Sequence, residues 1–188
     1  MFRVNHLLLL AAAFALAVII VVIVDLLRHR RDRLPGDLLK IIFVANLAVV
    51  AYLTLLPSPN YKTYAVYLVP FSTIFSYLRH ATEGTLPLRT ILYNMAGNML
   101  LFLPTGLLLP VVWPAFRKFW KCLLACVLCS VGIETVQFLL TVTGLISRTT
   151  DVDDVILNTL GAAAGYGLYA AANWFSRQSS ARKVTPTE

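Results

Sequence analysis

Charge is sparse in this sequence. Only 13% of its 188 residues are Asp, Glu, Lys or Arg, and 59% are hydrophobic, against about 25% and about 45–50% in soluble domains. Both departures exclude an ordinary soluble globule and point to lipid as the solvent. Cysteine is scarcer still. Cys122, Cys126 and Cys129 fall in one apolar run at spacings of four and three, along one helical stripe. That excludes a disulfide framework, and the three read as buried thiols behaving as small hydrophobes rather than as metal ligands. His6, His29 and His80 are scattered and none lies near an acidic cluster, so no Ser/His/Asp set is visible. No zinc-finger or helix-turn-helix pattern accompanies the net charge of +7. Nucleic acid is therefore not the expected partner. No internal repeat is evident.

Long apolar runs are abundant. Five reach spanning length, about 20 residues for a hydrocarbon core of about 30 Å: residues 7–27, 38–56, 91–112, 122–142 and 155–175. The first is too long for a signal-peptide core and ends in Arg28-His29-Arg30-Arg31 without a small-residue cleavage site, so it reads as a membrane helix. Leu34-Pro35-Gly36-Asp37 reads as a tight turn, and Pro57 and Pro59 stop the second run. Pro114 and the basic stretch to Lys121 end the third. The expected fold class is all-α: a polytopic membrane bundle of about five transmembrane helices plus an interfacial or re-entrant segment. That segment is 64–78, aromatic and apolar, too short to span and interrupted by Pro70. The expected organisation is a first helix with a basic loop (1–37), a membrane core (38–176) and a disordered tail (177–188).

Loop charges set the expected orientation. With the N-terminus outside, the inner segments hold eleven basic residues: Arg28, Arg30, Arg31, Arg33, Lys40, Arg117, Lys118, Lys121, Arg177, Arg182 and Lys183. The outer segments hold five: Arg3, Lys62, Arg79, Arg89 and Arg148. The excess marks the cytoplasmic side, so the C-terminus is expected inside.

A polar group inside a membrane helix is costly and needs a partner or a purpose. The third run carries Asn94 and Asn98 one turn apart. The fourth carries Glu134 and Gln137 near its outer end. The fifth begins with Asp151, Asp153 and Asp154, with Asn158 one turn on, and Arg148 sits in the loop before it. Antiparallel connection brings all of these to one depth in the outer half of the bilayer, where they could line one outward-facing polar cavity. Plainer roles exist for several. Thr150-x-x-Asp153 has the form of a capping box, Arg148 would neutralise Asp151 or Glu134, and asparagines commonly act as packing glue between helices. Glu134 sits mid-helix, where a carboxylate has no capping role. Gly161-Ala-Ala-Ala-Gly165 is a small-xxx-small face for close helix packing. Pro104-Thr105-Gly106 and Pro110 interrupt the backbone ladder of the third run and are expected to kink it.

These residues resemble a known family. Asn94-Met-Ala-Gly97-Asn98 through Pro104-Thr-Gly106 looks like the core motif of VanZ-like membrane proteins. Glu134-Thr-Val-Gln137 and Arg148-Thr-Thr-Asp151-Val-Asp153-Asp154-Val-Ile-Leu-Asn158-Thr-Leu-Gly161 match the rest of that pattern in order and spacing. Leu53-Thr-Leu-Leu-Pro57 and Val69-Pro70-Phe71 fit upstream. The resemblance covers about residues 45–170 and leaves the first run outside. Ser147-Arg148 stands where a Gly-Arg pair is common. The family's namesake is associated with low-level resistance to the glycopeptide teicoplanin, so the resemblance implies a bacterial cytoplasmic membrane and a role at the cell envelope. It supplies no reaction.

Three functions are compatible with these observations. The first is a non-catalytic binder whose cavity takes an envelope lipid, a lipid-linked wall precursor or the lipoglycopeptide itself. The second is an enzyme acting on an envelope lipid or lipid-linked glycan, with Glu134 and Asp154 as acid and base. Alternatively, Asp151 and Asp154 would hold a divalent cation, with magnesium, manganese or calcium favoured by an all-oxygen set. The third is a small transporter titrating Glu134, which the lack of inverted repeats disfavours. No cofactor is predicted beyond such a cation, and membrane lipids are expected partners. The residues do not assign an oligomeric state.

Overall fold

The computed structural model describes residues 34–55, 65–146 and 149–182. The expected first span, 7–27, lies outside the described residues. The chain divides into two compact units, Met1–Val49 and Val50–Glu188. The described part of the first is the beginning of helix α1 (Leu34–Leu55), where Lys40 Nζ lies 2.7 Å from Asp37 Oδ1. The expected turn at 34–37 is instead the first turn of this helix. A proline is tolerated there because the first helical N–H groups have no partner to lose, and Asp37 complements the positive end of the dipole.

The second unit contains the rest. A two-residue strand β1 (Val66–Tyr67) leads into helix α2 (Ser72–Glu83). Helix α3 (Leu88–Val112) follows, then a 3-10 turn (Pro114–Phe116), helix α4 (Phe119–Val142), strand β2 (Thr150–Asp151) and helix α5 (Val152–Arg182). β1 and β2 pair in parallel, Val66 with Thr150 and Tyr67 with Asp151. This bridge ties the entry of α2 to the entry of α5. α3 ends because Trp113 precedes Pro114 and is pushed out of the helical region, at φ −124° and ψ 113°. α5 carries on into the segment expected to be tail, as far as Arg182.

Among the described residues, α1, α3, α4 and α5 are long and apolar enough to cross a membrane. α2 is not. Its 12 residues span about 18 Å, none of them is buried, and Phe75 and Leu78 face outward. The expected short segment is therefore a strand and a surface helix that begins just past Pro70 and runs on to Glu83.

Packing runs inside out relative to a soluble protein. The buried stripe of α4 is Cys122, Cys126, Ser130, Glu134, Gln137 and Thr141, while Leu124, Leu128, Val131, Leu139 and Val142 are exposed. Steps of four and three keep the stripe on one face. α3 and α5 lie close and parallel. A Cβ added at Gly161 would collide with the Met99 carbonyl, and one at Gly165 with the Leu103 carbonyl, four residues further along both helices. A Cβ at Gly106 would collide with the Ala162 carbonyl. The small-residue face is thus internal packing between α3 and α5. Pro110 removes the N–H that would bond the Gly106 carbonyl, and Cys122 Sγ donates to that oxygen at 3.7 Å. α3 continues as one helix through both prolines.

Candidate functional site

Asp153 is completely buried although it sits in the first turn of α5. Its carboxylate accepts the backbone N–H of Phe71, of Thr73 at 2.8 Å and of Ile74 at 3.0 Å. These are the opening N–H groups of α2, which has no side-chain cap of its own. Any helix start leaves such donors without an intrahelical partner. Asp153 is therefore the N-cap of a helix distant in sequence. The expected capping box does not form. Asp151 Oδ1 accepts the Asp153 N–H at 2.9 Å and so caps α5, while Thr150 Oγ1 is buried without a partner. Thr150 is held in the strand bridge, its N–H bonded to the Ala65 carbonyl at 3.1 Å.

The remaining expected residues meet at the same end of the unit. Glu134, 8% exposed, accepts the Asp151 N–H on Oε2 at 3.2 Å, joining α4 to the start of α5. Asn98 Nδ2 donates to Asp154 Oδ1, joining α3 to α5. Asn94 Nδ2 donates to the Tyr77 hydroxyl at 3.0 Å, joining α3 to α2. Asn158 Nδ2 donates to Ser130 Oγ at 2.8 Å. Gln137 Nε2 donates to the Thr54 carbonyl at 2.7 Å, in the last turn of α1, where helical carbonyls lack intrahelical donors. Arg148 lies outside the described residues.

Sequence reasoning missed Ser130, Tyr77 and the Thr54 carbonyl as partners. Ser130 was detectable, since it lies one turn before Glu134 on the same stripe. Tyr77 and Thr54 were not, because their roles depend on how separate segments dock.

Several buried polar atoms of the network lack a partner: the hydroxyls of Ser72 and Thr150 and two amide oxygens. Gln137 Oε1 and Asn158 Oδ1 are buried without a hydrogen-bond partner, in residues 4% and 2% exposed. Among the described residues, no three His, Cys, Asp or Glu side chains gather closely enough to hold a metal ion. Asp151 and Asp154, the candidates for a cation in the enzymatic alternative, accept from the Asp153 N–H and the Asn98 amide. Chemically, the site is a polar pole held by helix caps and amides, with amide oxygens and hydroxyls that lack partners of their own.

No curated protein and no solved structure matches the chain. A family model does match, over residues 43–174, which takes in every described residue of the polar network and stops before the end of α5. The chain belongs to the VanZ/LLP1 family.

Proposed function

We propose that this membrane protein serves the bacterial cell envelope as a non-catalytic binder, with the polar pole of α3, α4 and α5 as its site. The pole faces outward and takes the donor-rich headgroup of an envelope lipid or lipid-linked wall precursor, or the lipoglycopeptide teicoplanin. Each of these presents hydroxyl, amide or ammonium donors on an amphiphile. What supports the reading is the pair of buried acceptors without donors, Gln137 Oε1 and Asn158 Oδ1, on helices that also carry Glu134 and Asp154. A buried acceptor left unpaired costs about 1–3 kcal/mol, and a ligand donor would recover that energy. Clefts between helices of a bundle are common ligand positions.

The test is teicoplanin susceptibility of cells expressing wild type, Glu134→Gln or Gln137→Leu, with membrane abundance measured alongside, together with titration of the purified protein with lipid-linked wall precursor. Saturable binding, and protection lost in the variants at normal abundance, are the expected results. Loss of abundance in both variants would reassign these side chains to holding the helices together. Absence of saturable binding by the wild type to both precursor and teicoplanin would sink the proposal.

A further inference from the structure

At the opposite end of the same unit, the structure carries a second site of different chemistry. A surface cavity of about 240 Å³ is lined by Arg117, Tyr166, Tyr169, Ala170, Asn173, Trp174 and Arg177. Six of these come from α5 at steps of three and four, forming one face of the helix. The seventh, Arg117, is held in place by backbone bonds. Its N–H donates to the Pro114 carbonyl at 3.2 Å, and its carbonyl accepts from the Tyr166 hydroxyl at 2.6 Å. Tyr166 is fixed in turn by Phe119, ring centroids 5.2 Å apart, and by Tyr169 at 5.6 Å. Both arginines are exposed, and among the described residues neither has a carboxylate partner.

We infer that this cavity binds the phosphate of an anionic phospholipid. Two guanidinium groups without carboxylates, set across a small cavity, present the planar donor forks that match phosphate oxygens. Asn173 adds an amide donor. Trp174 and the tyrosines are the side chains that sit at headgroup level, and α5 is a membrane-spanning candidate through Ser179. The cavity lies along the C-terminal half of that candidate span, up to Arg177. Its volume, below the roughly 300–1,000 Å³ of drug-sized pockets, suits a headgroup while the acyl chains stay in the bilayer. Basic pockets at the ends of membrane helices are known headgroup sites.

The experiment is native mass spectrometry of the full chain, delipidated in detergent and titrated separately with phosphatidylglycerol, phosphatidylcholine and inorganic phosphate. Wild type is expected to retain phosphatidylglycerol about tenfold better than phosphatidylcholine. Arg117→Gln and Arg177→Gln should each cost roughly fivefold, through loss of one charge-assisted guanidinium–phosphate contact. Ala170→Leu, which adds bulk to the lining without changing charge, should abolish the preference. Lys118→Gln removes an equal charge outside the lining and should change little. Equal retention of the two lipids by wild type, or equal losses in Lys118→Gln and Arg177→Gln, would overturn the site. Inorganic phosphate bound by wild type without lipid, and lost in the arginine variants, would overturn the lipid assignment in favour of a soluble phosphate.

Discussion

Removing the Asp153 carboxylate would strand three N–H groups at the start of α2, and no side chain of that helix stands in for it. Phe71 makes the dependence sharper. It holds φ 65° as a non-glycine residue, a conformation that costs of order 1–2 kcal/mol and persists only where neighbours impose it. The bond from its N–H to Asp153 is one such neighbour. Asp153→Ala should therefore destabilise by about 3 kcal/mol or more, since hydrogen bonds to charged groups are worth about 1.5–3 kcal/mol each before coupling. Asp151→Ala removes a single cap bond and should cost about 1 kcal/mol. Asp153→Asn, which keeps a carbonyl acceptor, should fall between them. Thermal unfolding in detergent, read with membrane abundance, orders the three. If Asp153→Ala is no worse than Asp151→Ala, the distant cap is not what holds α2. Three aspartates within four positions look alike in sequence; what separates them is the segment each one faces, which local spacing does not encode.

α3 and α5 touch through backbone, and glycines decide how closely. At Gly106, Gly161 and Gly165 an added methyl meets a carbonyl of the facing helix, whereas at Gly97, Gly132 and Gly167 it meets nothing within 4 Å. Gly165→Ala and Gly161→Ala should each destabilise by about 1–3 kcal/mol through forced separation of the helices. Gly167→Ala, two residues further along the same helix, should be neutral or stabilising by up to about 1 kcal/mol, because alanine is the better helix former. Unfolding temperature in lipid nanodiscs tests the contrast, and equal effects at 165 and 167 would remove close packing as the reason for the glycines. The Gly161–Gly165 face was legible because its spacing repeats the helical period. Gly106 follows Pro104 closely in sequence, which points to a kink, and its partnership with Ala162 follows only once α3 and α5 are known to run parallel. The four described spans were legible to within a few residues because apolar length alone marks them. The β1–β2 bridge was not legible, since two residues of strand leave no period to read.

Seen whole, the second unit has a polar pole at the starts of α3 and α5 and a basic, aromatic pole at the 3-10 turn and the end of α5. The convergence of polar side chains was legible because alternating helices must return to the same end. Which end faces out rests on the bias of basic residues, and it fixes what each pole can meet. Under the proposed orientation, with Arg117, Lys118, Lys121 and Arg177 inside, wall precursors and glycopeptides would reach the polar pole and cytoplasmic-leaflet anionic lipids the basic one. Single cysteines introduced into a chain whose Cys122, Cys126 and Cys129 are replaced by alanine give a direct readout. Thr85→Cys, between α2 and α3, should react with a membrane-impermeant maleimide in intact cells. Ala115→Cys, in the 3-10 turn, should react only after permeabilisation. The opposite pattern would turn the polar pole toward the cytoplasm and leave extracellular teicoplanin no access to it. Any ligand there would then have to be drawn from the inner leaflet, where wall precursors are still being assembled.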